Sequence, residues 1–167
     1  ITDDFWDNWG LLKNMFERCE LWQSHVAPGC YPDCDMLPLG KLGKGFGAER
    51  DTRLTPEEQR TMMTLWCLFG SPLMIGAELT LLDKDTLALL TNREVLALLN
   101  PALRPRQLMR DGEQAIWIAA DGKAIYAALF NLSDGERTVG IPLEKLPLDA
   151  PGRAKELWSE EERALSG

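Results

Sequence analysis

The chain has 167 residues, with 18 Lys and Arg against 26 Asp and Glu, so its formal net charge is −8. Hydrophobic residues make up 45% and include six Trp, enough apolar surface to exclude a disordered acidic segment. The acidic balance and the lack of a Lys/Arg cluster argue against nucleic-acid and anionic-membrane partners, and no stretch approaches the roughly 18 consecutive apolar residues of a membrane span.

The length suits one domain, or one and a fraction, and falls short of the roughly 250 residues of a complete eight-stranded α/β barrel. Ile1-Thr2-Asp3-Asp4 is neither an initiator Met nor a secretory signal, and it reads as the interior of a longer chain. Secreted and bacterial cytoplasmic locations are both compatible with it. Residues 5–23 read as an amphipathic helix, with Trp9, Leu12, Phe16 and Cys19 on one stripe. Pro28 to Leu37 is too rich in Pro, Gly and Asp for a helix. Residues 38–54 form a Gly-rich loop.

Thr55-Pro56-Glu57-Glu58 is the clearest local signal: Thr as N-cap, Pro at the first helical position and Glu at the third. Met62, Leu65, Trp66 and Phe69 follow at helical spacing, Gly70-Ser71 stops the helix, and Pro72–Ile75 is a short buried strand. Asp83 caps a helix through Leu90, and Asn92–Leu99 is a further turn or two. The alternation of helices and short strands is that of parallel α/β architecture. Past Asn100-Pro101 the pattern turns β-rich. Gln114–Ala120 and Lys123–Asn131 are joined by Asp121-Gly122 as a two-residue hairpin turn, and further strands are expected at Thr138–Leu143 and Ala154–Trp158. The chain divides near residue 102.

Cys19, Cys30, Cys34 and Cys67 are expected as unpaired thiols, two of them in the core, and with His25 as the one His no zinc spacing can be assembled. His25 reads as a polar loop residue, and Gly40, Gly43, Gly45 and Gly47 lack the framing of a phosphate loop. Arg50 and Arg53 flank Asp51, which suggests local salt bridges. Asn131-Leu132-Ser133 is a glycosylation sequon that matters only in a eukaryotic secretory route. Acidic residues at the ends of adjacent strands, Asp3 or Asp4 and Asp33 or Asp35, suggest carboxylate chemistry such as glycoside hydrolysis. The same residues equally suit a helix N-cap and an Asx turn.

Asp4-Phe5-Trp6-Asp7-Asn8-Trp9, Pro28-Gly29-x-Tyr31-Pro32-Asp33-x-Asp35-Met36-Leu37, Glu58-Gln59-x-x-Met62 through Trp66, and Ser71-Pro72-Leu73-Met74 resemble the melibiase-type α-galactosidases. These are retaining glycoside hydrolases grouped as family 27, and the likeness is to the bacterial branch. It runs in order over roughly residues 1–100. The resemblance implies a fold that is α/β plus all-β: a (β/α)8 TIM barrel followed by an antiparallel β-sandwich. Ile1 then ends barrel strand 6, Tyr31–Leu37 covers strand 7 and Ser71–Ile75 strand 8. Residues 1–102 become the C-terminal portion of the barrel and 103–167 an incomplete sandwich, so that the chain is a C-terminal fragment.

By the same resemblance Asp4 is the general acid/base, and Asp35 and Met36 contact the sugar. Tyr31 stands where the family commonly has Trp and serves as an aromatic wall, while Asp33 shapes the turn. The family's nucleophile is an Asp on strand 4, outside this sequence. The implied partner is a terminal α-galactoside or oligosaccharide, with no metal or organic cofactor, and the 167 residues alone are expected to be inactive. The alternatives are a related glycosidase acting on α-N-acetylgalactosaminides or β-L-arabinopyranosides, and a non-enzymatic protein that binds carbohydrate or a partner chain.

Overall fold

The computed structural model describes residues 1–147 and 152–165. The first helix, α1 (Trp9–Trp22), starts later than its apolar stripe suggests: Asn8 is the N-cap, and its Oδ1 accepts from the Leu11 amide at 3.0 Å. Residues 5–8 stay out of the helix because their side chains are used elsewhere. Phe5 is buried edge-on against Trp66, with ring centroids 5.0 Å apart, and Asp7 is buried against Arg50. Asp3 and Asp4 therefore do not cap it.

A two-residue strand, β1 (Met36–Leu37), follows the Pro- and Asp-rich stretch. The Gly-rich segment is more ordered than a plain loop. Its ends form an antiparallel ribbon of β2 (Lys41–Leu42) with β3 (Arg50–Asp51), closed through a 3₁₀ turn at Lys44–Phe46. Helix α2 (Pro56–Phe69) has the expected reciprocal capping: Glu58 N donates to Thr55 Oγ1 at 3.2 Å and Thr55 N to Glu58 Oε2 at 2.8 Å. It ends at Gly70 with φ 81°, a left-handed conformation that glycine adopts without a Cβ clash. The chain then enters β4 (Met74–Ile75), which pairs parallel to β1 with Met36 opposite Met74 and Leu37 opposite Ile75. Asp83 caps α3 (Lys84–Leu90), and Asn92 caps the short α4 (Arg93–Leu96).

Three antiparallel strands follow: β5 (Arg106–Arg110), β6 (Gln114–Ala120) and β7 (Ile125–Asn131), in the order β5-β6-β7. The β6–β7 connection has four residues rather than two. Asp121 Oδ1 accepts from the amides of Lys123 and Ala124 at 3.0 and 3.1 Å, so the carboxylate itself organises the turn, and Gly122 takes φ 82°. β5 is not among the strands expected from the sequence; it carries a register shift between Gln107 and Met109 that breaks its alternation. Thr138–Leu143 is not a strand, since the chain there leads irregularly into a 3₁₀ turn at Leu143–Lys145. The last β segment starts one residue earlier and is shorter than expected, β8 (Arg153–Lys155), and pairs with an unexpected β9 (Glu162–Ala164). Ser166 and Gly167 lie outside the described residues.

The described residues beyond 102 form one three-stranded sheet and a separate hairpin. One hydrophobic cluster runs across residue 102. Phe16 of α1 meets Phe130 of β7 edge-on at 4.8 Å, and Phe69 of α2 meets Trp117 of β6 at 6.0 Å. Each such side chain contributes roughly 1.5–3 kcal/mol by leaving water, so the helices and the sheet stabilise one another. Among the described residues no helix is long and apolar enough to cross a membrane.

Candidate active site

The parallel pair β1–β4 is short, and what precedes β1 is held by hydrogen bonds rather than by a ladder. Asp35 has φ 71°, a left-handed conformation that costs a residue with a Cβ about 1–2 kcal/mol. Three contacts fix it there. Its amide donates to Asp33 Oδ1 at 2.8 Å, its carbonyl accepts from Trp66 Nε1 at 2.9 Å, and its Oδ2 accepts from the Phe5 amide at 2.6 Å. Beside it, the Cys34 amide donates to the buried Ser71 Oγ at 2.9 Å, which links the entry of β1 to that of β4.

The N-terminal segment therefore lies against the turn before β1, and Ile1 N also donates to Asp33 O at 2.6 Å. Asp4 is the residue just before the Phe5 amide, and its side chain is exposed. Three residues on, Asp7 is 1% exposed and bound to the Arg50 guanidinium by two hydrogen bonds, of 2.5 and 2.8 Å. Its Oδ2 also accepts from the Arg53 amide at 2.7 Å. Burial by itself would raise the Asp7 carboxyl, but the hydrogen bond from Arg50, the Arg53 amide and the guanidinium charge outweigh it and hold the group below its ordinary value. Arg50 is raised in turn, chiefly by its hydrogen bond to Asp7.

The local salt bridges expected around Asp51 are thus replaced by longer links. Arg50 turns to Asp7, Arg53 offers its amide to the same carboxylate, and Asp51 pairs with Lys41 at 3.1 Å. No signal in the sequence joins residues 7 and 50. Gln59 is a second unforeseen part. Its Oε1 accepts from Gly40 N and its Nε2 donates to Leu54 O, both at 3.0 Å, pinning the ribbon to α2.

Of the four residues singled out in the sequence, Asp4 and Asp35 are brought together through Phe5, and Met36 is the next residue along, at the start of β1. Tyr31 stands apart. It is half-exposed and lines a cleft of about 420 Å³ with Val26, Leu68, Leu99, Pro101 and Pro105, which Asp4, Asp35 and Met36 do not line. Asp33 shapes the turn by accepting from Asp35 N. His25 is exposed, its ring 5.3 Å from that of Trp22. Among the described residues no group of three His, Cys, Asp or Glu side chains could hold a metal ion.

Chemically, the arrangement offers the exposed carboxyl of Asp4, next to the equally exposed Asp3, on a segment fixed downstream by Phe5 and Asp7. A second carboxylate, Asp35, has one oxygen occupied by an amide and the other without a hydrogen bond among the described residues. Such a group suits proton transfer by the first and hydrogen bonding to hydroxyls by the second.

α-Galactosidase 2 of Arabidopsis thaliana is 27% identical over 162 residues, an alignment covering 94% of this chain and 38% of that enzyme. A β-L-arabinopyranosidase of Geobacillus stearothermophilus, solved also in complex with arabinose, superposes with a TM-score of 0.92 at 44% identity, covering 99% of this chain and 39% of its own. α-Galactosidase I of Mortierella vinacea shares the fold, with a TM-score of 0.72 at 21% identity over 90% of this chain and 38% of its own. The chain thus spans about two fifths of the length of these relatives. The profile of the melibiase family described as alpha galactosidase A matches residues 1–100, the stretch that carries Asp4, Asp7, Asp35, Met36 and Arg50. The chain belongs to that family.

Proposed function

We propose that this chain carries the acid/base and part of the sugar-binding machinery of a retaining glycosidase that removes terminal α-galactosyl residues. The observation that supports it most directly is the 2.6 Å bond from Phe5 N to Asp35 Oδ2, which sets the segment bearing Asp4 beside the Asp35-Met36 pair. Retention needs two carboxyl groups about 5–5.5 Å apart. One attacks the anomeric carbon; the other protonates the leaving oxygen and then takes a proton from water. Asp4 fills the second role, and the nucleophile comes from residues beyond this sequence. Asp35, through its second oxygen, and Met36 hold the sugar.

On this reading β1 and β4 are neighbouring strands of a (β/α)8 barrel, residues 1–102 its C-terminal portion, and 103–167 part of the following β domain. The parallel pairing across α2 and the TM-score of 0.92 to the Geobacillus enzyme support the arrangement. That likeness, at 44% identity, also supports a second substrate. β-L-Arabinopyranose has the ring stereochemistry of α-galactose without the exocyclic CH₂OH, so one site chemistry serves either sugar.

The test is hydrolysis of nitrophenyl α-galactoside and nitrophenyl β-L-arabinopyranoside by the intact protein that contains this chain, with and without Asp4→Asn. Loss of about 10²–10⁴-fold in kcat at unchanged melting temperature is expected for the variant. Full activity of Asp4→Asn, or turnover by the 167 residues alone, sinks the assignment. The larger kcat/KM decides between the sugars.

A further inference from the structure

Cys19 and Cys34 lie on different elements, 15 residues apart in sequence, yet their Sγ atoms are 3.7 Å from each other. Both are fully buried. Cys19 sits on the core face of α1, the helix that follows Asp4; Cys34 immediately precedes Asp35. The two thiols therefore face each other across the seam where the carboxylate-bearing segments meet. A disulfide needs its sulfurs at about 2.05 Å, so closing this pair requires an approach of under 2 Å between two side chains already in contact.

We propose that Cys19 and Cys34 are a disulfide-forming pair, which closes in an oxidising compartment and braces α1 against the turn that carries Asp35. The oxidant is a small disulfide such as oxidised glutathione. The Cys19 thiolate attacks one glutathione sulfur, giving a mixed disulfide and releasing one glutathione thiolate. The Cys34 thiolate then attacks the Cys19 sulfur and expels the second glutathione. Two protein thiols are oxidised to one disulfide, one glutathione disulfide is reduced to two thiols, and the two protons pass to the released thiolates.

Burial decides when this happens. Desolvation, then the neighbouring Cys34 sulfur, hold the Cys19 thiol well above its ordinary value, and with both sulfurs buried the folded protein leaves no room for glutathione beside them. The bond forms as the chain folds and is thereafter shielded from reductants. Exposed Cys30 is the thiol that small disulfides reach in the folded protein.

The protein is produced in bacterial cells with an oxidising cytoplasm and in cells with a reducing one, trapped with N-ethylmaleimide in whole lysates, digested without reductant and mapped by mass spectrometry. A peptide linking Cys19 to Cys34 is expected from the oxidising cells, and N-ethylmaleimide adducts on both from the reducing cells. Cys30→Ser must leave the link intact. Free Cys19 and Cys34 in the oxidising cells, or Cys34 joined to Cys30, overturn the proposal and leave two packed core thiols. The oxidised protein is expected to melt several degrees above the reduced one, and equal melting temperatures remove the bracing role. Glycosidase activity does not enter any of these readouts.

Discussion

The Phe5 amide and the Asp35 carboxylate, 30 residues apart in the chain, meet at 2.6 Å. A charge-assisted bond of this kind is roughly twice as strong as a neutral one. Here it also reconciles two otherwise unfavourable conditions. Asp35 is held in a left-handed conformation, and the Phe5 side chain is buried, which leaves its amide needing a partner away from bulk water.

Asp35→Asn and Asp35→Ala separate these contributions. Asn tolerates positive φ and keeps an acceptor oxygen, so it is expected to cost about 1 kcal/mol, the charge assistance alone. Ala leaves the amide unpaired and retains the strain, for a cost of about 2–4 kcal/mol. Denaturant unfolding of both variants measures the difference. Equal destabilisation means that the carboxylate does not hold the Phe5 amide.

The buried Asp7–Arg50 pair gives stability a pH dependence of known sign. Asp7 titrates below its ordinary value in the folded protein, so its contribution is complete above the unfolded carboxyl range and falls away as pH drops below about 4. Asp7→Asn is expected to flatten that part of the acid-unfolding curve, read as the wild-type minus variant difference by Trp fluorescence. Glu20, Glu78, Asp83, Asp121 and Glu156 are also lowered, which is why the difference curve is the relevant readout. Arg50→Met strands a carboxylate that is 1% exposed and is expected to cost about 3 kcal/mol at pH 7. Wild-type stability in the Arg50→Met variant contradicts this.

What the sequence discloses and what it hides divides by range. Helix α2 is legible end to end because its cap, box and stop are all local: Thr55 with Glu58, Pro56, then Gly70. So is the turn role of Asp33, and a short parallel strand does follow α2, though it covers only Met74–Ile75 and is exposed where the sequence suggests a buried strand over Pro72–Ile75. The start of α1 is not, because Phe5 and Asp7 are periodic with the helix but engaged by Trp66 and Arg50, partners some 60 and 43 residues away. Strand β5 is hidden by its register shift, and β9 by a charged, fully exposed sequence with no alternation to read. At the site, Asp4, Asp35 and Met36 come from a family resemblance. Spacing alone does not separate them from a helix cap and an Asx turn, and nothing local points to Arg50 or Trp66 as their supports.

Gly76, just past β4, sits where a side chain would be tightly crowded. A Cβ there would lie 3.0 Å from Met36 Sδ and 3.2 Å from Leu37 O, the carbonyl that accepts the Gly76 amide at 2.9 Å. The carbonyl is fixed by that bond, so the Met36 thioether must yield. Gly76→Ala is expected to cost about 1–3 kcal/mol by overpacking. In the intact protein it should raise KM for the glycoside more than it lowers kcat. Combining it with Met36→Ala should recover part of the stability loss, since removing the thioether removes the clash. Strict additivity of the two substitutions would show that Met36 is not what Gly76 accommodates.

The β8–β9 hairpin is too short to be stable alone, since an isolated two-stranded hairpin is at best marginal in water. It is held on α2 and α4 by few contacts. Trp158 Nε1 donates to Thr64 Oγ1 at 3.0 Å, and the Arg60 guanidinium carbon lies 5.5 Å from the Trp158 ring centroid. Leu157 O accepts from Asn92 Nδ2 at 3.1 Å, and Lys155 pairs with Glu94 at 2.9 Å. Thr64 is poised for the first of these because its hydroxyl proton is already given to Arg60 O, at 2.8 Å. Trp158→Phe removes one hydrogen bond and part of the ring, for an expected cost of about 1 kcal/mol. Trp158→Ala is expected to release the hairpin as a unit, so that in hydrogen exchange the Glu156 and Leu165 amides, which donate to Glu161 O and Gly152 O, lose protection while β6 and β7 keep theirs. Uniform loss across β6 and β7 instead would mean that Trp158 supports the whole core and not the hairpin alone.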